Sequence, residues 1–258
     1  MKKSLGQNFL IDRNITKKIC NLINFKNKNV LEIGPGNGAL TEEILKKKPK
    51  SLTLIEKDDQ LISFLKKKYS SDKSIKIICS DILKFDLTKI KKDKLIILGN
   101  LPYNISSQIL VKILKNLSSK FIIDDLVLMF QKELGEKIIG QFKSKSYGRL
   151  SIITNLKLYV LKKFLVSSNC FFPKPKVTSM VIHFKIKKTN KFNIKEIDNL
   201  EKVTNILFSN KRKMINKNIK KILNKEKLTQ IPKLKLNLRP EEIHPEIYYK
   251  ITELFEEK

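Results

Sequence analysis

The sequence predicts an α/β fold in which a seven-stranded, mostly parallel sheet is followed by a small all-helical carboxy-terminal domain. Apolar runs of strand length alternate with helical patterns through Phe130, which is typical of a parallel sheet. Two further strand patterns, Leu158 to Val166 and Val177 to Lys185, predict a terminal hairpin in that sheet. From Ile194 to Lys258 the apolar residues recur at helical spacing without strand alternation.

The first elements can be placed from their apolar patterns. A helix is predicted near Asp12 to Asn24, because four apolar side chains share one face: Ile15, Ile19, Leu22 and Ile23. A buried strand follows at Val30 to Ile33, and a second helix is predicted from Ala39 to Lys48.

A glycine-rich loop, with Gly34, Gly36 and Gly38 at alternate positions, directly follows the first predicted strand. Glycines let the backbone approach a ligand closely at the carboxyl end of a strand, where open α/β sheets bind cofactors. With Ala39 as a third small residue, the loop almost fits a nicotinamide fingerprint as well. The loop alone therefore predicts a nucleoside cofactor without choosing between the two classes.

Two acidic residues stand at the ends of the next predicted strands. Glu56 follows Leu52 to Ile55, about twenty residues beyond the glycines, where this architecture places a carboxylate on a ribose hydroxyl. Asp81 follows the strand Ile75 to Cys79, and its carboxylate could accept the amino group of a bound adenine. The alternative for each residue is an ordinary solvated loop acid.

The tetrapeptide Asn100-Leu101-Pro102-Tyr103 follows the apolar run Leu95 to Leu98 and fits the methylation of a nucleobase amine. Such an amine is a poor nucleophile because its lone pair is delocalised into the ring. The Asn100 amide oxygen and the Leu101 carbonyl could accept its hydrogen bonds, Pro102 would stiffen the turn, and Tyr103 could stack on an extruded base. The alternative is a simple turn. Beside the cofactor crevice, however, the motif favours S-adenosylmethionine over a hydride carrier.

Charge favours a polyanionic partner. The formal net charge is +29, from 54 basic and 25 acidic residues. Only four basic residues are arginine, and the lysine-heavy composition without tryptophan indicates codon bias. The positions of charge clusters are therefore more informative than the total.

One such cluster lies in the predicted carboxy-terminal domain. A helix over Lys211 to Leu223 would place apolar residues on one face, namely Ile215, Ile219 and Ile222. Four lysines would fall on the other face and could contact RNA phosphates: Lys213, Lys217, Lys220 and Lys221. The alternative is a solvated surface helix.

Other chemistry is not indicated. Cys20, Cys79 and Cys170 lack metal-binding spacing and are expected to be reduced packing residues, while His183 and His244 are assigned structural roles. No metal is expected. The amino terminus lacks a signal-peptide core and no run reaches membrane-spanning length, so a cytoplasmic location is expected.

Six blocks resemble, in order, those of the ribosomal RNA adenine dimethyltransferases: Gly6 to Leu10, Leu31 to Thr41, Asn100 to Ser106, Gln131 to Glu133, Tyr147 to Ser151 and Phe171 to Ser179. The sequence is most similar to the bacterial small-subunit branch associated with kasugamycin sensitivity. The resemblance implies a Rossmann-like class I methyltransferase. Its expected activity is N6,N6-dimethylation of two adjacent adenosines in the 3′-terminal hairpin loop of 16S rRNA, in late small-subunit biogenesis.

The resemblance also implies roles in cofactor binding. Asn8 and Leu10 would cover S-adenosylmethionine, and Gly34 with its neighbours would line the methionine part. Glu56 would hold the ribose, and Asp81 with its neighbour Ile82 would lie at the adenine.

Further roles are implied at the target base. Asn100 would contact both the cofactor and the target amine, and Tyr103 and Phe171 would sandwich the base. Phe172 departs from the pattern, because relatives often have a smaller or polar residue there. Which phenylalanine stacks is therefore left open.

The predicted organisation is a methyltransferase domain at 1–186, a polar linker at 187–193 and a helical RNA- or ribosome-binding domain at 194–258. The expected partner is the immature small ribosomal subunit, bound by a monomer. Alternatives are a large-subunit rRNA dimethyltransferase, a DNA adenine methyltransferase and a non-catalytic RNA-binding assembly or transcription factor. Leu101 and the segment Arg239 to Glu242 favour the small-subunit branch, and the intact glycine loop argues against lost catalysis.

Overall fold

The computed structural model describes residues 8–90, 94–117, 121–188 and 191–257. The strands are β1 (Phe9–Leu10), β2 (Asn29–Ile33), β3 (Ser51–Glu56), β4 (Ile75–Cys79), β5 (Leu95–Asn100), β6 (Ile123–Gln131), β7 (Leu158–Val166), β8 (Phe171–Phe172) and β9 (Ser179–Ile186). The helices are α1 (Arg13–Cys20), α2 (Ala39–Leu45), α3 (Asp59–Lys68), α4 (Ser106–Asn116), α5 (Lys132–Ile138), α6 (Arg149–Lys157), α7 (Ile197–Phe208), α8 (Asn216–Ile219), α9 (Lys225–Thr229) and α10 (Pro245–Glu256).

The main sheet has seven strands in the order β4-β3-β2-β5-β6-β9-β7, which confirms the predicted architecture. The pairs from β4 through β6 are parallel, whereas β9 runs antiparallel to β6. Strands β2, β3 and β5 are buried along nearly their whole length, as expected for a sheet covered on both faces.

The register of the central strands brings their carboxyl ends to one edge. Ile33 of β2 pairs with both Ile55 of β3 and Gly99 of β5, and Glu56 pairs with Cys79 of β4. The residues that follow these strands therefore meet at a single crevice, where parallel sheets place their ligands.

A second, two-stranded sheet joins segments that are far apart in sequence; we call it the ribbon (β1 with β8). Leu10 pairs with Phe171 and Phe9 pairs with Phe172 in antiparallel register. Leu10 and Phe171 are both buried in a core cluster that includes Val166. Directly opposed residues share a face, so Phe9 and Phe172 lie on the other face of the ribbon.

The chain divides into two compact units, Met1–Gly135 with Val160–Ile186, and Glu136–Tyr159 with Lys187–Lys258. The predicted boundary after Ile186 coincides with one border, but residues 136–159 group with the carboxy-terminal helices. In that second unit α6 packs against α7 and α10, and the Tyr249 hydroxyl donates a hydrogen bond to the Ile152 carbonyl at 2.8 Å.

Three predicted helices differ in extent. Helix α1 ends at Cys20, and α2 ends at Leu45, shortly before Lys48 adopts a left-handed φ of 52°. The continuous helix predicted over residues 211–223 is wrong, because only α8 forms there, with turns on both sides. Asn216 and Asn218 direct their side chains to local polar groups, which competes with helix extension. None of the helices in the described ranges is long and apolar enough to cross a membrane.

Candidate active site

A cleft opens at the carboxyl ends of the central strands, within the first unit. Eleven of the predicted site residues line it: Asn8, Leu10, Gly34, Gly36, Glu56, Asp81, Ile82, Asn100, Leu101, Pro102 and Tyr103. The structure thus brings together the glycine loop, both strand-end acids and the N-L-P-Y turn. Gly38 and Phe171 are not among the lining residues.

The conformation and the close packing of the glycine loop both disfavour any residue with a side chain at its three glycines. Gly34, Gly36 and Gly38 have φ angles of 67°, 58° and 83°, in the left-handed region that favours glycine. A Cβ on Gly36 would lie 2.9 Å from the Phe9 ring, and one on Gly38 would lie 2.7 Å from the Tyr69 hydroxyl. Gly38 therefore has a packing role at the start of α2, while Gly34 and Gly36 face the cleft.

The N-L-P-Y turn packs on this loop. A Cβ on Gly34 would lie 3.7 Å from the Asn100 carbonyl oxygen and 3.9 Å from Pro102 Cδ. A ligand on the glycine loop would therefore lie next to the Asn100 turn.

The Asn100 side chain has a defined orientation. Its Nδ2 donates a hydrogen bond to the Asn8 carbonyl oxygen at 2.9 Å. Because a carbonyl can only accept, the amide nitrogen must face Asn8, and Oδ1 is directed away as an acceptor. Leu101, which is buried, anchors the backbone next to it.

The Glu56 carboxylate is held by backbone donors. Its Oε1 accepts from the N–H groups of Lys57 at 2.8 Å and Asp58 at 3.0 Å, and its Oε2 accepts from Gly36 at 3.3 Å. These contacts keep the buried carboxylate fixed beside the glycine loop, where a ribose could use its remaining lone pairs.

Asp81 also lines the cleft and is paired with Lys57. Lys57 Nζ donates to Asp81 Oδ2 at 2.8 Å, and the Leu83 N–H donates to Oδ1 at 2.9 Å. The Lys57 hydrogen bond, assisted by Leu83, lowers the pKa of the Asp81 carboxyl below its ordinary value. Asp81 is therefore an ionised acceptor next to the buried side chain of Ile82.

Tyr103 is half-buried, and its hydroxyl lies 2.6 Å from Ser179 Oγ at the start of β9. Burial raises the pKa of the Tyr103 phenol, so the ring is neutral at physiological pH. This contact fixes one edge of the ring and leaves it at the cleft wall.

Phe171, which was predicted to sandwich the base with Tyr103, does not line the cleft in the structure. Phe171 is only 2% exposed, because its ring packs in the core cluster with Leu10. Phe172 is the exposed member of the pair, with 60% of its surface accessible. The pairing register with β1 determines which of the two phenylalanines is buried, and the sequence Phe171-Phe172 alone could not show this.

Glu32 is a cleft residue that sequence reasoning missed. It is 1% exposed within β2, lines the cleft, and accepts a hydrogen bond from the Thr41 hydroxyl at 2.6 Å. Burial, together with the negative charge of Glu56, raises the pKa of Glu32 to about 7, although Thr41 acts in the opposite sense. The sequence did contain a signal, because Glu32 interrupts an otherwise apolar strand. A buried carboxyl group is costly unless it has a hydrogen-bond partner, so such a position indicates a specific role.

The four predicted RNA-contacting lysines lie in the second unit. Lys213, Lys217, Lys220 and Lys221 are all exposed, while Ile215 and Ile219 are buried. The predicted division into an apolar side and a basic side is thus present, although turns rather than one helix produce it. Within the described ranges, no cluster of three or more His, Cys, Asp or Glu side chains could hold a metal ion.

A seven-stranded, mostly parallel sheet with the antiparallel strand β9, and a glycine-lined cleft beside an N-L-P-Y turn, is the architecture of a class I methyltransferase. The model of the family described as ribosomal RNA adenine dimethylase matches residues 1–257. The chain belongs to this family and is a methyltransferase that uses S-adenosylmethionine and acts on rRNA.

Individual relatives agree with this assignment. The ribosomal RNA small subunit methyltransferase A of Pelagibacter ubique (strain HTCC1062) is 48% identical over 257 residues, covering 99% of this chain and 97% of the relative. A dimethyladenosine transferase structure from Plasmodium falciparum superposes with a TM-score of 0.78 at 26% identity, covering 94% of this chain and 95% of that one. The 23S rRNA methyltransferase ErmE shares the fold, with a TM-score of 0.70 at 22% identity over 96% of this chain and 100% of its own.

Glu32 should make the stability of the ligand-free protein depend on pH. Its pKa rises from 4.5 in the unfolded chain to about 7 on folding, so the folded state binds the extra proton and stability falls as pH rises through that window. Glu32→Gln should abolish this loss, which amounts to at most about 3 kcal/mol. Urea unfolding of both proteins at pH 5 and pH 8 measures the difference. Parallel pH dependence in the two proteins would contradict the assignment.

Proposed function

We propose that this chain transfers methyl groups from S-adenosylmethionine to N6 of two adjacent adenosines in the 3′-terminal hairpin loop of 16S rRNA. The observation that carries the proposal is the Asn100 to Asn8 hydrogen bond, which directs Asn100 Oδ1 away from Asn8 as an acceptor beside the glycine loop. A nucleobase amine is the kind of donor that such an acceptor would bind.

The cleft residues fit the proposed cofactor. The left-handed glycines let the backbone approach a methionine moiety closely, and the Glu56 carboxylate suits the two hydroxyls of a ribose. The ionised Asp81 suits an adenine amino group, with Ile82 packing against the ring. S-adenosylmethionine would supply an electrophilic methyl group carried on a sulfonium.

The Asn100 turn would prepare the attacking amine. Asn100 Oδ1 and the Leu101 carbonyl would each accept one N6 hydrogen, which localises the lone pair and stabilises the charge that develops on nitrogen. Tyr103 would hold the everted base by stacking, because its ring is anchored through Ser179. The amine would then face the methyl donor in line.

The chemistry requires no strong base. Methylation makes the nitrogen far more acidic, so its proton can leave to water, which agrees with the lack of a histidine among the cleft residues. The monomethylated amine retains one hydrogen for Asn100 or Leu101, and rotation about the C6–N6 bond allows a second transfer. Each transfer would form an N–CH3 bond as the bond from sulfur to that methyl group breaks, leaving S-adenosylhomocysteine. The product of both transfers is N6,N6-dimethyladenosine.

Two observations support small-subunit rRNA as the substrate: the names of the similar proteins and the exposed lysines of the second unit. The relatives named for the small subunit favour 16S rRNA over the large-subunit alternative. The exposed lysines of the second unit would engage phosphates of the immature small subunit, with the protein acting as a cytoplasmic monomer.

A transfer assay tests the proposal directly. Tritiated methyl groups should label the small-subunit rRNA of immature small subunits, and nucleoside mass spectrometry should identify N6,N6-dimethyladenosine. Large subunits serve as the matched control and should stay unlabelled. Failure to label any of these substrates would favour a non-catalytic assembly factor on a methyltransferase fold.

Asn100→Ala should lower the rate constant for methyl transfer by about 10²- to 10³-fold, comparable to losing an oxyanion-hole donor, with most cofactor affinity retained. Asn100→Asp keeps the shape but places a carboxylate oxygen against the Asn8 carbonyl, so it should not restore the rate. Single-turnover kinetics and calorimetric titration with S-adenosylmethionine separate the two effects. Near-normal turnover in Asn100→Ala would remove this residue from its role.

Replacing the four exposed lysines (Lys213, Lys217, Lys220 and Lys221) with alanine should weaken RNA binding and flatten its dependence on salt. Each lost phosphate contact should reduce the slope of log K against log salt by roughly 0.7 to 0.9. Cofactor affinity should stay unchanged. The matched control removes four exposed lysines near β4: Lys66, Lys67, Lys73 and Lys76. Equal slopes for the two variants would argue against a specific RNA-binding role.

A further inference from the structure

Phe172 is an exposed aromatic residue without a role in the site described so far. Its exposed fraction of 60% is larger than that of the other exposed large hydrophobic residues in the described ranges, including Phe64 at 47%. Single exposed apolar side chains are common, so exposure alone assigns no function. Its position on the ribbon is what distinguishes it.

The ribbon places Phe172 beside the cleft. Phe172 is paired directly with Phe9, so the two rings lie on the same face of the ribbon. Phe9 lines the cleft and packs against Gly36 of the glycine loop. Phe172 is one strand further out and is not a lining residue, so it is outside the pocket that would hold the everted adenine.

The residues that follow Phe172 add charge and a second link to the site. Lys174 and Lys176 are both exposed, and residues 172–178, which we call the Phe172 segment, lead directly into Ser179. Ser179 holds the Tyr103 hydroxyl. One end of the segment is thus fixed through Phe9 and the other through Tyr103, and both of these residues line the cleft.

We propose that Phe172 is a stacking platform for the nucleobase next to the target adenosine, with Lys174 and Lys176 meeting the adjacent phosphates. This inference rests on the proposed function. Eversion of an adenosine removes a stacking partner from its neighbour, and an exposed aromatic face just outside the pocket replaces that partner. Lysines on both sides of a proline in an exposed segment supply the complementary charge for the RNA backbone.

The test compares Phe172→Ala, Phe172→Leu and Phe172→Tyr in steady-state methyl transfer to immature small subunits. Alanine and leucine should each raise KM for the subunit by about tenfold, the loss expected for one base–aromatic stack, with kcat nearly unchanged. Tyrosine should restore the wild-type KM, because it retains the aromatic face. Phe64→Ala, which removes an exposed phenylalanine from α3, is the matched control and should change neither constant.

The outcomes separate this inference from the proposed function. An inactive wild-type protein would overturn the proposed function itself. An active wild type with an unchanged KM in Phe172→Ala would overturn only the stacking platform. A fall in kcat at constant KM would also overturn it, since that result places Phe172 on the target base. Full rescue by leucine would show that apolar contact rather than stacking is required. Thermal unfolding and S-adenosylmethionine affinity, both expected to be unchanged, confirm that each variant is folded.

Discussion

The proposed chemistry of the cleft depends on the orientation of one side-chain amide, that of Asn100. The Asn8 carbonyl can only accept a hydrogen bond, so it forces the nitrogen of Asn100 toward itself and leaves the oxygen as an acceptor. Asn8 is held in place because the ribbon begins at the next residue and is pinned to the core through Leu10 and Phe171. A hydrophobic contact between segments far apart in sequence thus helps to fix which atom of the Asn100 amide is left as an acceptor, and in the proposed mechanism this acceptor binds the substrate amine.

The two acids at the strand ends, Glu56 and Asp81, are also held by main-chain groups. Glu56 accepts three main-chain N–H groups, and Asp81 accepts one from Leu83. Main-chain donors at strand ends are fixed by the register of the sheet, so little ordering remains to be done when a ligand binds. Asp81 also accepts a hydrogen bond from the exposed side chain of Lys57, which in the proposed complex would share this carboxylate with the adenine of the cofactor.

Much of this arrangement could be predicted from sequence, and the errors have physical causes. Strand ends are marked by apolar runs, and parallel strands share an edge, so residues that follow them were expected to meet. Glu32 was not predicted as a cleft residue because an apolar strand pattern does not show which side chains of the strand border a cleft. The choice between Phe171 and Phe172 stayed open because two adjacent phenylalanines are chemically equal until pairing with β1 buries one of them. The helix over 211–223 failed because buried isoleucines at helical spacing also fit a succession of turns.

The cleft and the exposed surface differ in charge, and this difference suits the two ligands of an RNA methyltransferase, the cofactor and the RNA. Within the described ranges, the charged side chains that line the cleft are Glu32, Glu56, Asp81 and Lys57. Even with Glu32 protonated, the other two acids outnumber the one lysine, so this lining has an acidic excess inside a protein of net charge +29. An acidic interior attracts a cationic cofactor and repels phosphate, whereas exposed lysines do the opposite. A nucleobase is uncharged and can enter an acidic cleft, whereas the RNA phosphates are repelled by it. In the proposed mechanism, eversion of the base would therefore let RNA present an amine to Asn100 without bringing its phosphates into the cleft.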